Sequence, residues 1–292
     1  MSESTAVELV ADAHAIVGEG PVWDASTGLL VWVDIEGKRI YEFDPATGVN
    51  REIEVPQYPG AVVRRASGGY MAAVTNGFAS VDRDGRFELV VPVEADLPEN
   101  RMNDGKCDPQ GRFWAGTTRM THDAPIGVLH RLDADLSLHP MVGELWVSNG
   151  LDWTFDERRM YFIDSFAGSV DVFDYDAATG DIANRRPLID VPESWGTPDG
   201  MTLDAEGYLW VAFWGSSRVR RFDPQGRLDR EITLPVTQVT SCAFGGPDLR
   251  DLYITSGCRG LDAAALEREP HAGGLFRARP GVQGRPAFEF AG

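Results

Sequence analysis

LLVWVDIEGKRIYEFDPATG (residues 29–48) and RMYFIDSFAGSVDVFDYDAATG (residues 159–180) are two copies of one unit. Each runs from an aromatic-apolar segment through a polar turn to a second apolar segment and an aspartate-bearing turn. The same order returns in GYMAAVTNGFASVDRDG (69–85) and GYLWVAFWGSSRVRRFDPQG (207–226). A fifth copy, GRFWAGTT (111–118) with GVLHRLDADLS (127–137), is interrupted by an insertion at 119–125. A sixth, DLYITSG (251–257) with GGLFRARPG (273–281), carries a longer insertion at 258–273. The turn aspartates Asp44, Asp82, Asp133, Asp174 and Asp223 are spaced by 38, 51, 41 and 49 residues. A period of about 45 residues with four strand signals per unit describes the blades of a propeller. A blade cannot bury both of its faces alone, so the set must close into a ring. A β-sandwich, the competing all-β fold, does not repeat internally. The chain therefore reads as all-β, a six-bladed β-propeller forming a single domain over residues 1–292. The run AVELV (6–10) is expected to pair with the last blade and close the ring.

Composition narrows the function classes. The 292 residues are 43% hydrophobic, enough for a sizeable core. The formal net charge of −18 argues against nucleic acid and anionic lipid as partners, since both require clustered Lys and Arg. The N-terminus lacks a basic start and an apolar segment, and no stretch approaches the roughly 18 apolar residues of a membrane span. Cys107, Cys242 and Cys258 form neither a CxxC pair nor an even disulfide set, and they read as reduced thiols in or beside strands. These features lead us to expect a cytoplasmic protein with no membrane, nucleic acid or obligate protein partner.

The repeat also supplies a ruler for the axis. Residues just before the first strand of each blade are expected to converge on one mouth of the central channel. Glu19 lies 13 residues before Trp32, Asn103 lies 11 before Trp114, Asn149 lies 12 before Tyr161, and Asp199 lies 11 before Trp210. The other two blades place Gly60 and Ser241 at this level, 10 before Tyr70 and 12 before Tyr253. Asn-Asp-Gly, Asn-Gly and Asp-Gly are strong turn signals, and any one of them alone would read as a turn. Four at one register read as a site. Two carboxylates crowded on an axis repel unless a cation or a shared proton joins them. Oxygen-only ligands suit one hard divalent ion, Ca²⁺, Mg²⁺ or Mn²⁺, and Zn²⁺ also accepts carboxylates. Arg101, Asp104 and Lys106 flank the ring, and Arg101 is suited to fork onto hydroxyl or carboxylate oxygens. Trp153, Trp195 and Trp214 are candidates to wall the opening. The insertion RMTHDAP (119–125) is a candidate lid, within which His122 reads as an exposed loop residue.

GEGPVW (18–23), RMNDGKCDPQGRFWAGT (101–117), SNGLDW (148–153), TPDGM (197–201), TSCAFGG (240–246) and AGGLF (272–276) together resemble the regucalcin/gluconolactonase family. The resemblance implies a propeller that hydrolyses sugar lactones with one divalent metal. It implies Glu19, Asn149 and Asp199 as metal ligands, Asp199 as general base, and Arg101 and Asn103 as substrate contacts. Thr121 stands where the family carries a sugar-binding Glu in its lid segment, which leaves the particular sugar acid open. The expected function is a gluconolactonase-like sugar lactonase that converts an aldonolactone to the aldonic acid. An esterase or organophosphate hydrolase on the same metal is the rival enzyme reading. A non-catalytic scaffold or calcium-binding propeller is the rival from another class, although the Gly-His…Trp-Asp scaffold signature is absent.

Overall fold

The computed structural model of the protein describes residues 5–292. Six four-stranded antiparallel sheets follow one another along the chain, over residues 18–54, 59–92, 100–145, 148–190, 197–233 and 239–278. They are the six blades of a propeller, as the repeat predicts. Each of the first five takes its strands in sequence order. The sixth takes its outermost strand, Val7–Ala11, from the start of the chain, with Val7 opposite Ala278 and Leu9 opposite Phe276. The ring is tied again near the axis, where the Thr240 hydroxyl donates to the Gly18 carbonyl at 2.6 Å.

Burial follows position in the blade. Second strands such as Leu29–Asp34 and Arg159–Asp164 are covered on both faces by neighbouring blades and are almost continuously apolar. Outermost strands such as Val49–Glu54 are largely exposed. The ruler aromatics Trp32, Tyr70, Trp114, Tyr161, Trp210 and Tyr253 are all buried between blades. In the third and fifth blades an aspartate locks this wedge. Asp108 accepts from the Gln110 and Arg112 amides and from Trp114 Nε1. Asp204 accepts from the Glu206 and Tyr208 amides and from Trp210 Nε1. The insertion of the sixth blade holds the short helix Ala263–Arg268, capped by the Asp262 carboxylate on the Ala265 amide. All three cysteines are free, and Cys258 is only partly buried. Among the described residues no helix is long and apolar enough to cross a membrane.

Every innermost strand shifts register against its neighbour at the same level. The shifts fall between Glu19 and Val22, Pro59 and Ala61, Met102 and Gly105, Ser148 and Leu151, Pro198 and Met201, and Val239 and Ser241. A bulge bends its strand and re-aims a side chain. The axial residues therefore lie inside the first strands, at bulges, and not just before them as the ruler assumed. A strand can carry a functional side chain at mid-length because the bulge turns it out of the pleat.

The far end of the channel is covered by the chain's last residues. The Gly284 amide bonds the Leu249 carbonyl, Ala205 bonds Gln283, Phe290 bonds Arg64 and Ala291 bonds Gly111. On the axis, Arg285 meets the Asp152 carboxylate, which also accepts from Lys106 Nζ at 3.0 Å, the Leu203 amide at 3.1 Å and the Trp153 amide at 2.8 Å. Burial alone would raise the Asp152 carboxyl, but the Arg285 and Lys106 charges outweigh it and hold the group below the usual carboxylate range. A folded-state pKa below the unfolded one means that this stabilisation is present at neutral pH. It is lost as the pH falls through the folded value, which lies below the ordinary carboxylate range. Asp152→Ala leaves two cations without their shared partner and is expected to cost about 3–5 kcal/mol. Urea unfolding at pH 7 measures this, and the gap to wild type should narrow in acid. A loss under about 1 kcal/mol would show that the hub does not hold the channel end.

Candidate active site

The opposite end of the channel opens into a cavity of about 260 Å³. Its lining includes Glu19, Asn103, Asn149 and Asp199 from the innermost strands of blades one, three, four and five, with Arg101 beside them. Gly60 and Ser241 are not among the lining residues, and Ser241 belongs to the narrow chamber at the covered end. Asp104 and Lys106 also face that chamber, because alternate residues of a strand point opposite ways.

Close backbone packing brings the ring together. A methyl placed on Gly150 would stand 2.7 Å from the Asp199 carbonyl oxygen and 2.8 Å from the Met201 amide. Glycine is thus required where the fourth blade backs onto the fifth. Two aspartates at equivalent places in the repeat clamp the chain entering the ring. Asp34 accepts from the Ile16 and Val17 amides, both at 3.0 Å, just before Glu19. Asp164 accepts from Trp146 at 3.1 Å and Val147 at 2.9 Å, just before Asn149.

The ring is buried and crowded with negative charge. Glu19 is 5% exposed and Asp199 8%. Burial, then the charges of Asp199 and Asp104, push the Glu19 carboxyl well above its ordinary range. Burial, then the charge of Asp104, does the same to Asp199. The amides divide by their bonding. Asn149 Nδ2 donates to Ser165 Oγ at 2.8 Å, which donates onward to the Pro198 carbonyl at 2.8 Å. Asn149 Oδ1, in contrast, is buried with no partner. Asn103 has none of that freedom: its Oδ1 accepts from Arg101 Nη1 at 2.7 Å and its Nδ2 donates to the Ser148 carbonyl at 2.8 Å. Among the described residues no three His, Cys, Asp or Glu side chains form a metal cluster by themselves. The axial set has two such carboxylates, and Asn149 Oδ1 is the neutral oxygen that completes a donor trio.

Above the ring the lining turns cationic and aromatic. Arg101 is 8% exposed, its Nη1 also donates to the Met102 carbonyl, and burial followed by the Arg259 charge lowers it to about 10. Arg259, from the sixth-blade insertion, is paired with Glu36 at 2.9 Å. His122, Phe166 and Trp214 complete this part of the wall.

Several sequence expectations change here. Thr121 is exposed and outside the cavity lining, with its hydroxyl donating to Asp123 at 2.7 Å. His122, expected to be an exposed loop residue, is half-buried in the wall. Trp153 is fully buried, edge-on to Trp114 at 6.0 Å, and Trp195 packs on Arg220 and Phe222. Of the three tryptophans only Trp214 lines the opening. Ser165, Phe166 and Arg259 were not anticipated. Ser165 and Phe166 follow Asp164 as Ile35 and Glu36 follow Asp34, so the repeat carried a register signal for that hairpin.

Comparison with known proteins agrees with the architecture. The family model for the SMP-30/Gluconolactonase/LRE-like region matches residues 17–258. Regucalcin of Xenopus laevis is 40% identical over 297 residues, covering 99% of this chain and 99% of its own. The protein named "Putative sugar lactone lactonase YvrE" of Bacillus subtilis strain 168 is 40% identical over 287 residues, covering 97% of this chain and 98% of its own. A solved structure of a regucalcin from Agrobacterium tumefaciens, described as a calcium-binding protein, superposes with a TM-score of 0.94 at 28% identity, covering 98% of this chain and 97% of that one.

The tight backing of blade four on blade five is directly testable. Gly150→Ala is expected to lower stability by about 1–3 kcal/mol. A thermal melt checks this, and an unchanged melting temperature would mean that the strands there have room to part.

Proposed function

The chain belongs to the SMP-30/gluconolactonase/LRE-like family of lactone-hydrolysing enzymes, and we propose that its own reaction is the metal-dependent opening of an aldonolactone of the gluconolactone type to the aldonic acid. The observation that carries this reading is the buried, partnerless Asn149 Oδ1 beside the Glu19 and Asp199 carboxylates on the floor of a small cavity. These oxygen donors fit one divalent cation such as Ca²⁺, Mg²⁺, Mn²⁺ or Zn²⁺, which would also relieve the repulsion that raises both carboxyls. Glu19, Asn149 and Asp199 would hold it. When bound, a divalent ion supplies Lewis-acid polarisation of the lactone carbonyl and stabilises the negative charge that develops on it.

The protein's own groups supply the rest. Asp199 takes the proton of the attacking water onto its carboxylate as the new C–O bond forms. It returns that proton to the ring oxygen as the C–O bond of the lactone breaks, so one group serves as base and then acid. Arg101 cannot swing freely, because Asn103 and the Met102 carbonyl hold one end of its guanidinium. Its remaining N–H groups are free to fork onto sugar oxygens and fix the carbonyl over the water. Asn103, with both of its polar atoms engaged, acts by positioning Arg101 and supports a substrate-side role better than a ligand role. A small-molecule lactone is the only partner this reading requires.

Three experiments bear on it. Asp199→Asn is expected to lower kcat for D-glucono-1,5-lactone by about 10²-fold or more. Retention of a third of the wild-type turnover would remove Asp199 as the base. Chelator-stripped protein is expected to be inert, and single additions of Ca²⁺, Mg²⁺, Mn²⁺ or Zn²⁺ to restore turnover. Full activity after stripping would remove the metal from the mechanism. An aryl ester or phosphotriester turned over faster than every aldonolactone would favour the promiscuous hydrolase instead.

A further inference from the structure

The lid segment holds a group that the mechanism has not used. Residues 119–125 join two strands of the third blade, Phe113–Arg119 and Gly127–Leu132. Thr121 turns out of the cavity onto Asp123, and the next residue, His122, turns in. His122 takes a left-handed backbone conformation with φ of 53°, uncommon for residues other than glycine. Its amide bonds the Arg119 carbonyl at 2.9 Å, and its ring stands edge-on to Phe166 with centroids 6.0 Å apart. These contacts set the ring at the cavity wall.

What it presents is an unsatisfied nitrogen. His122 Nε2 is buried and has no hydrogen-bond partner. A buried polar atom without a partner destabilises the fold that holds it. A ligand that bonds it recovers that cost. Burial, then the charges of Arg101 and Arg259, lower the imidazole to about 4, so the ring is neutral at physiological pH. A neutral imidazole has one donor and one acceptor nitrogen, whereas the cation only donates. Hydroxyl groups both donate and accept, and they carry no charge for Arg101 or Arg259 to oppose. The ring acids lie at the cavity floor, so the far side of a bound lactone is the part that reaches the lid.

We propose that His122 is a specificity-determining residue whose Nε2 exchanges a hydrogen bond with a hydroxyl of the lactone, and that it selects polyhydroxylated lactones over bare ones. This rests on the lactonase reading above. His122 takes the part that the sequence assigned to Thr121.

The test compares D-glucono-1,5-lactone with δ-valerolactone, which has the same ring and no hydroxyls. His122→Ala is expected to lower the ratio of kcat/KM for the two lactones by about 10-fold or more, the loss of one buried hydrogen bond. His122→Gln, which keeps a donor and an acceptor, should recover part of the ratio, and His122→Leu, which only fills space, should not. An unchanged ratio in His122→Ala, or equal recovery by Leu and Gln, would overturn the proposal. If wild type opens neither lactone, the lactonase reading itself fails. Calorimetric binding of sodium D-gluconate then reads His122 separately. Weaker binding by His122→Ala keeps the hydroxyl contact, and equal binding removes it.

Discussion

Three carboxylates, Glu19, Asp104 and Asp199, share the axis of this ring where water is largely excluded. Burial disfavours each charge, and each charge disfavours the others. Such a cluster persists only if the fold holds it there and something positive answers it. The fold does the holding through strands that are locked into closed blades and backed onto one another at glycines. Positive charge is arranged in two layers, Lys106 and Arg285 below the acids and Arg101 and Arg259 above. None of these four forms an ion pair with Glu19 or Asp199. The remaining imbalance lies at the cavity floor, where the two carboxylates and the free oxygen of Asn149 meet, and there the proposed cation belongs.

A six-fold scaffold carries a site with no six-fold symmetry. All six innermost strands bulge at one level, so the backbone offers six equivalent places. The side chains break the equivalence, with Glu, Asn, Asn and Asp on four blades against Gly60 and Ser241 on the others. Glycine at Gly60 is a packing requirement, since a Cβ there would run into the Met102 and Asn103 carbonyls. One blade is therefore spent on bringing the ring close together, which gives the others their convergence. The same logic separates the two asparagines. Asn149 is supported through its amide nitrogen and keeps its oxygen free, while Asn103 uses both atoms to hold Arg101 and the Ser148 carbonyl.

Part of the wall above the ring comes from segments outside the repeat. His122 belongs to the third-blade insertion and Arg259 to the sixth-blade insertion, and these blades face each other across the axis. Phe166 and Trp214 stand at hairpins of the fourth and fifth blades. The repeat thus builds the floor and the hairpin part of the wall, and its interruptions add His122 and Arg259. The floor and the insertions can change independently, because they lie on different stretches of chain.

Residue spacing by itself determined the blade count, the all-β class and the level at which Glu19, Asn103, Asn149 and Asp199 meet. Periodicity is a local property that closure cannot alter, and four polar residues at one register need only a ruler. Spacing did not determine where within the strand that level lies, because a bulge is a backbone event with no residue signature of its own. It also could not orient side chains in the insertions. Thr121 and His122 are neighbours, and only the left-handed turn at His122 and the Phe166 ring beside it decide which one enters the cavity. Trp153 and Trp195 carried the same ambiguity, since an aromatic beside a mouth and an aromatic between blades look identical in one dimension. Their burial, like the arrival of Arg259 from a distant insertion, is set by packing across the closed ring, which brings together residues that the sequence keeps far apart.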